Sequence, residues 1–196
     1  MELGYWGVKG ILEPIRWLAA HLGLEFKEFN PKSVEEWGQT KSTLHLDFPN
    51  LPYLIDGDFR LTESSAIPVY LIGKTGHKDL LGKNIAEIAQ VRQIQGVISD
   101  TKQNFIKAAF GSGDKSEALA KTLEPAGSTI QKIEHLSKFL GTKDFLLGHV
   151  TYADLELVYL MHMTGAIAQS LGQKCPWCGY KNLMDLERRV VSLPGI

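Results

Sequence analysis

The hydrophobic pattern of residues 1–80 predicts short strands and helices in alternation. Apolar residues form brief runs that are separated by turns rich in glycine, proline and aspartate. Strands are expected at 3–6, 24–29, 53–55 and 59–61, and helices at 14–22, at 34–41 and from 64 onward. This order combines a βαβ unit with a hairpin and a helix, which indicates a small α/β domain.

From residue 84 onward the pattern is helical. Apolar positions recur at helical spacing over 85–98 and 119–136, with Pro125 as an expected kink in the second stretch. Residues 152–168 are apolar nearly all round, which predicts a central buried helix, and a last helix is expected at 183–191. With 73–83 as a linker, we predict an α/β domain at 1–80 and an all-helical domain at 84–196.

Composition argues against several classes of function. The net charge is −1 and 22% of the residues are charged, which does not fit a protein that binds nucleic acid through bulk electrostatics. Apolar runs are too short to span a bilayer, and the first residues lack the basic region of a signal peptide. We therefore expect a cytoplasmic protein with no membrane or nucleic-acid partner.

One short region combines two features that suit a peptide-like anion. Pro52 lies in a turn directly before a predicted strand, where the backbone can offer its amide and carbonyl to an extended ligand. Ser64 is predicted to cap the next helix, and a helix N-terminus can hold a carboxylate.

Four segments resemble the cytosolic glutathione transferases, most closely the mu class, with a sigma-like relative as the alternative. They are residues 4–10, 47–57, 61–67 and 148–154. The resemblance implies a thioredoxin-like first domain, an all-α second domain and a homodimer. It also implies reduced glutathione as co-substrate, no metal, and conjugation of small hydrophobic electrophiles as in detoxification.

The resemblance gives Tyr5 the catalytic role. A free thiol has a pKa of about 8.5, so most of it is protonated at neutral pH. A tyrosine hydroxyl at the end of the first strand would stabilise the glutathione thiolate by a hydrogen bond. Without the resemblance, Tyr5 would be interpreted as a core residue, because an aromatic side chain at a strand end is usually part of the core.

The resemblance also assigns a set of residues to glutathione. They are Trp6, Ile11, Trp37, Lys41, Asn50, Leu51, Pro52, Glu63, Ser64 and Asp100. Within this set Pro52 is expected to be cis, and Glu63 replaces the Gln of the mu class. Asp100 matches the acidic residue that reaches the neighbouring subunit's glutathione.

Other residues are assigned to the electrophile and to the dimer. Ile11, Ile106 and Phe110 would line the electrophile pocket, although Phe110 stands where mu enzymes carry a second tyrosine. Phe48 matches the aromatic residue that enters the other subunit. A non-catalytic carrier of hydrophobic ligands and a sigma-type glutathione-dependent prostaglandin isomerase remain alternatives.

Cys175 and Cys178 form a Cys-x-x-Cys pair, which can be a redox pair or half of a zinc site. No second cysteine pair or histidine cluster completes a metal site. We interpret them as two loop thiols without a catalytic duty.

Overall fold

The computed structural model describes residues 1–196, which divide into two compact units. The first unit comprises Met1–Lys78 together with Leu193–Ile196, and the second comprises Asp79–Ser192. The predicted boundary places 193–196 in the helical domain, whereas the structure groups them with the first unit. There the carbonyl oxygen of Pro194 lies 3.1 Å from His21 Nδ1.

The first unit is built on a four-stranded sheet. Its strands are β1 (Glu2–Gly4), β2 (Lys27–Phe29), β3 (Tyr53–Asp56) and β4 (Phe59–Thr62). The order is β2-β1-β3-β4, with β2 parallel to β1 and with β3 antiparallel to both β1 and β4. The expected βαβ unit and hairpin are confirmed, but β2 is shorter than the predicted strand at 24–29.

Helices α1 (Glu13–His21), α2 (Val34–Lys41) and α3 (Ile67–Thr75) complete this unit. A 3₁₀ turn at Gly10–Leu12 leads into α1. Ser33 caps α2 because its Oγ accepts a hydrogen bond from the Glu36 amide at 3.1 Å. Tyr70 donates to Asp56 Oδ2 at 2.7 Å, and Lys74 pairs with the same carboxylate, so α3 is tied to the end of β3.

The second unit is helical, as predicted. Its helices are α4 (Ile85–Phe110), α5 (Lys115–Thr122), α6 (Ser128–Leu140), α7 (Tyr152–Ser170) and α8 (Lys181–Val191). The central helix α7 is buried along most of its length, as its apolar sequence indicates. None of the helices combines the length and the apolar character that a membrane span requires.

Two expectations about this half of the chain are wrong. Pro125 does not kink a continuous helix, because α5 ends at Thr122 and α6 begins at Ser128. The predicted linker at 73–83 is partly structured, since α3 runs to Thr75 and a 3₁₀ turn follows at Lys78–Leu81. Both differences arise where glycine or proline interrupts a pattern without showing which conformation replaces it.

Candidate active site

The backbone of Tyr5 is fixed on both sides where it follows β1. Its amide donates to the Phe29 carbonyl at 3.0 Å, and Asn30 Nδ2 donates to its carbonyl at 3.1 Å. The preceding residue, Gly4, faces Tyr53 so closely that an added Cβ would lie 1.9 Å from the ring. Glycine is therefore required for β1 to lie against Tyr53 and to direct Tyr5 out of the sheet.

The hydroxyl of Tyr5 is held by the turn before α1. The Ile11 amide donates to Tyr5 Oη at 3.4 Å. Gly10 has φ +48°, and an added Cβ there would lie 2.6 Å from Tyr5 Oη. Tyr5 is half-buried, and its hydroxyl donates to no acceptor in the chain. Its proton is therefore available to a ligand.

Arg16 holds the loop between Tyr5 and α1. Its Nη1 donates to the carbonyls of Val8 and Lys9, each at 3.2 Å, and to Glu13 Oε2 at 2.8 Å. Its Nε and Nη2 donate to the two carboxylate oxygens of Glu28 at 2.7 and 2.9 Å. The hydrogen bond from Arg16 lowers the pKa of Glu28. Sequence reasoning missed this clamp, of which only the Glu13–Arg16 helical spacing was visible.

The turn before β3 presents free backbone groups. The Leu51–Pro52 peptide bond is cis, as expected. Leu51 is buried, and its amide donates only to the neighbouring Asn50 Oδ1 at 2.9 Å. The Leu51 carbonyl accepts from no group in the chain. An extended ligand could therefore pair with this carbonyl, and with the amide once the Asn50 side chain rotates.

The start of α3 differs from the prediction. Ser64 was expected to cap this helix, but the N-cap is Ala66 and no side chain caps it. The reason is Glu63, whose φ of 76° turns the chain so that its carbonyl accepts from the amides of Ala66 and Ile67. The amides of Ser64 and Ser65 donate to no acceptor in the chain. Unpaired amides before a helix can hold a carboxylate.

Trp37 and Lys41 offer donors on α2. Trp37 is 8% exposed and stacks on Tyr53 with ring centroids 6.0 Å apart. Its indole N–H has no partner in the chain and is not sealed from solvent. Lys41 is exposed in the last turn and forms no ion pair. Trp6 and Tyr5 pack against the same apolar cluster as Trp37.

The remaining predicted residues belong to both units, and each is described within its own unit. Ile11 is half-buried in the 3₁₀ turn, while Ile106 and Phe110 are exposed near the end of α4. Asp100, also on α4, pairs with Lys132 on α6 at 2.9 Å. Phe48 is 75% exposed. The roles assigned to these residues stay predictions.

The expectation of two loop thiols is wrong. Cys175 and Cys178 are joined by a disulfide, with Cα atoms 5.6 Å apart. The pairing is possible because the chain bends at Pro176 and Trp177, the two residues between the cysteines. Spacing alone allowed a thiol pair or a disulfide equally.

Comparison with known proteins gives this geometry a family. The family model described as "Glutathione S-transferase, N-terminal domain" matches residues 1–72. The family model described as "Glutathione S-transferase, C-terminal domain" matches residues 99–196. The chain belongs to the glutathione S-transferase family. The predicted fold and the predicted enzyme class, a transferase that conjugates glutathione, are thereby confirmed.

Individual relatives agree over nearly the whole chain. A glutathione S-transferase of Tyrophagus putrescentiae is 32% identical, with 99% of this chain and 86% of the relative covered. Glutathione S-transferase Mu 1 of Oryctolagus cuniculus is also 32% identical, covering 100% of this chain and 88% of the relative. The crystal structure of the glutathione S-transferase Blo t 8 superposes with a TM-score of 0.85 at 27% identity, covering 100% and 89% of the two chains.

Proposed function

We propose that this glutathione S-transferase conjugates reduced glutathione to small hydrophobic electrophiles, and that Tyr5 stabilises the reacting thiolate. The observation that carries the proposal is the Tyr5 hydroxyl, which accepts from the Ile11 amide and donates its own proton to nothing in the chain. A hydroxyl that already accepts an N–H is a stronger donor, because the two hydrogen bonds polarise each other. Tyr5 is therefore oriented and ready to donate to sulfur.

The energy required is within reach of one hydrogen bond. Lowering a thiol pKa by about 2 units needs about 2.7 kcal/mol of differential stabilisation. A hydrogen bond to a charged group contributes about 1.5–3 kcal/mol. Tyr5 alone could supply most of the activation that brings glutathione to a thiolate near neutral pH.

The free donors of the first unit match the charges of glutathione. The unpaired amides of Ser64 and Ser65 would bind the γ-glutamyl carboxylate, and the Glu63 carboxylate would accept from its amino group. The backbone of Leu51 would pair with the cysteinyl part. Trp37 and Lys41 would bind the glycine carboxylate.

The rest of the proposal concerns the second substrate and the partner. Ile11, Ile106 and Phe110 would contact the electrophile, and Asp100 would serve the glutathione of a second subunit in a homodimer. Phe48 supports the dimer, because a large aromatic side chain left 75% exposed in a loop suits a surface that a partner covers. We place the enzyme in the cytoplasm and its role in detoxification.

Replacement of Tyr5 by Phe tests the proposal. We expect kcat for conjugation to a chloronitrobenzene to fall about 100-fold, as when one donor to a developing anion is removed. Calorimetry should show that glutathione still binds, and the ultraviolet absorbance of bound thiolate should appear only at higher pH. Tyr70→Phe is the matched control, since it removes a hydroxyl that bonds Asp56 instead, and it should retain activity.

Two results would change the assignment. Full activity in Tyr5→Phe would show that another group stabilises the thiolate. If the unaltered enzyme binds glutathione but does not turn over chloronitrobenzenes, the carrier or the isomerase alternative would replace conjugation of simple electrophiles.

A further inference from the structure

The loop between α7 and α8 carries the disulfide of Cys175 and Cys178. Both cysteines are exposed, while the two residues between them, Pro176 and Trp177, are buried. The apolar residues of this loop therefore point into the second unit and the sulfur-bearing residues lie at its surface. Such placement leaves a disulfide open to attack by a dissolved thiol.

Contacts other than the disulfide hold this loop in place. Trp177 is 1% exposed, and its Nε1 donates to Thr164 Oγ1 of α7 at 2.7 Å. Gln173 Nε2 donates to Ser116 Oγ of α5 at 3.1 Å. Asn182 Nδ2 donates to the Ser137 carbonyl of α6 at 2.8 Å. Because the loop is anchored before, within and after the pair, opening the disulfide does not require the loop to unfold.

The crosslink itself closes a very short ring, with a sequence separation of 3. The entropy that a disulfide removes from the unfolded chain grows with the length of the loop it closes. A ring this small restricts the unfolded chain little. The disulfide is thus poorly suited to stabilising the fold, which leaves its chemistry to be explained.

A cleft of about 720 Å³ reaches one of the two cysteines. Cys175 lines it together with Leu123, Ile130, Lys174 and Tyr180, whereas Cys178 does not line it. The cleft offers apolar surface, one cation and one hydroxyl, which suits a small molecule with an apolar stem and a carboxylate. Attack from the cleft would meet the sulfur of Cys175 first.

Cys178 has the features of a leaving group. It lies two residues before Tyr180, the N-cap of α8, and the first turn of this helix contains no acidic residue. The amides of Lys181 and Asn182 donate to no acceptor in the chain. The positive end of α8 would stabilise a thiolate on Cys178, and a thiol with a more stable thiolate leaves faster.

We propose that Cys175 and Cys178 form a thiol–disulfide exchange site for low-molecular-weight thiols, with Cys175 as the attacked sulfur and Cys178 as the leaving one. A thiolate entering the cleft attacks Cys175 Sγ, the bond between the two cysteines breaks, and Cys178 leaves as a thiolate that takes a proton from water. A second thiol attacks the mixed disulfide and releases Cys175. The protein disulfide and two thiols thus become the protein dithiol and one small disulfide.

The site uses no residue of the proposed conjugation machinery, so its test is independent of Tyr5. The full chain and its Cys175→Ser and Cys178→Ser variants are incubated with mixtures of reduced glutathione and glutathione disulfide. Free thiols are then blocked with N-ethylmaleimide, and adducts are located by mass spectrometry. The unaltered pair should shift from disulfide to dithiol as the share of reduced glutathione rises.

An early quench of the unaltered pair separates the roles of the cysteines. The trapped mixed disulfide should carry glutathione on Cys175 and N-ethylmaleimide on Cys178, because Cys175 is the attacked sulfur and Cys178 leaves as a thiolate. The two single variants should keep the melting temperature and the conjugating activity of the unaltered enzyme. A pair that stays oxidised in excess reduced glutathione until the chain unfolds would overturn the proposal. Glutathione trapped equally on the two cysteines would overturn the assigned roles.

Discussion

Two helices of this enzyme begin in opposite ways. At α7 the buried Asp154 carboxylate accepts from the Leu146 amide, the Thr151 amide and Thr151 Oγ1, each at 2.8 Å. At α3 no side chain caps the helix, and the amides of Ser64 and Ser65 stay unpaired. Every helix start leaves amides without partners. At α7 a buried carboxylate holds the segment that precedes the helix, whereas at α3 no side chain does this and the turn before the helix keeps two free amides.

Removal of the Asp154 carboxylate at the start of α7 should have the largest effect on stability. In Asp154→Ala three donors lose their acceptor in a buried setting, and each unsatisfied donor costs about 1–3 kcal/mol. We expect the free energy of unfolding to fall by about 4 kcal/mol after partial relaxation, measured by urea denaturation. A loss below about 0.5 kcal/mol, the usual range for surface changes, would contradict the structural role of this cap.

Removal of the Ser64 hydroxyl, just before α3, should weaken the binding of glutathione and leave the stability of the fold unchanged. We expect Ser64→Ala to raise the Kd for glutathione about tenfold, equivalent to about 1.4 kcal/mol, because one hydrogen bond to a carboxylate is lost. The melting temperature should not change, since Ser64 caps nothing. Ser65→Ala serves as the control within the same turn, and a lower melting temperature in Ser64→Ala would restore the capping role.

The left-handed backbone of Glu63, just before α3, should lower the stability of the enzyme without bound glutathione. A residue with a side chain in the left-handed region, like Glu63, is disfavoured by about 1–2 kcal/mol, and glycine would regain part of this. We expect Glu63→Gly to stabilise the fold by about 0.5–1 kcal/mol while weakening glutathione binding.

His45→Gly is the matched control, because His45 has φ 52° in another loop. It should give a similar gain in stability without loss of binding. If Glu63→Gly binds glutathione as tightly as the unaltered enzyme, the Glu63 carboxylate has no part in the site.

The smallest predicted effect is on how the stability of the fold depends on pH. Arg16 lowers the pKa of Glu28, so this pair stabilises the fold above the ordinary carboxylate pKa and is lost as pH falls through the lowered value. Because both groups are partly exposed, the contribution is at most about 1 kcal/mol. Glu28→Gln should lower the melting temperature slightly at neutral pH and make no difference at strongly acidic pH. An equal loss at both pH values would mean that charge is not involved.

Local signals predicted the elements better than the connections. The helix at 34–41 was predicted with the bounds that α2 has, because Ser33 and the following residues favour a helix on their own. The left-handed φ of Glu63 was not predictable, since nothing in a glutamate favours it and the turn between β4 and α3 imposes it. The wrong Ser64 cap follows directly from that residue.

The residues of the candidate site likewise fall into those that the sequence predicted and those that it did not. Tyr5 and the cis Pro52 were predicted from a family resemblance carried by short segments of sequence, and the structure confirms the cis bond while the role of Tyr5 stays a prediction. Arg16 and Gly10 were missed, because their roles depend on partners that folding brings close, Glu28 and the Tyr5 ring. The disulfide between Cys175 and Cys178 was also missed, since three-residue spacing is compatible with either redox state.

The turn at Gly10 has a consequence for mutational surveys of this enzyme. Gly10 bears no reactive atom, yet any side chain at this position would enter the space of the Tyr5 hydroxyl while the sheet and helices stay intact. Scored by activity, position 10 would be indistinguishable from a catalytic residue. Scored by yield of folded protein, it would show only the cost, about 1–2 kcal/mol, of a side chain in the left-handed region, to which Gly10 belongs with φ +48°. A survey of activity alone would therefore mark position 10 as essential, although what the enzyme needs there is the absence of a side chain.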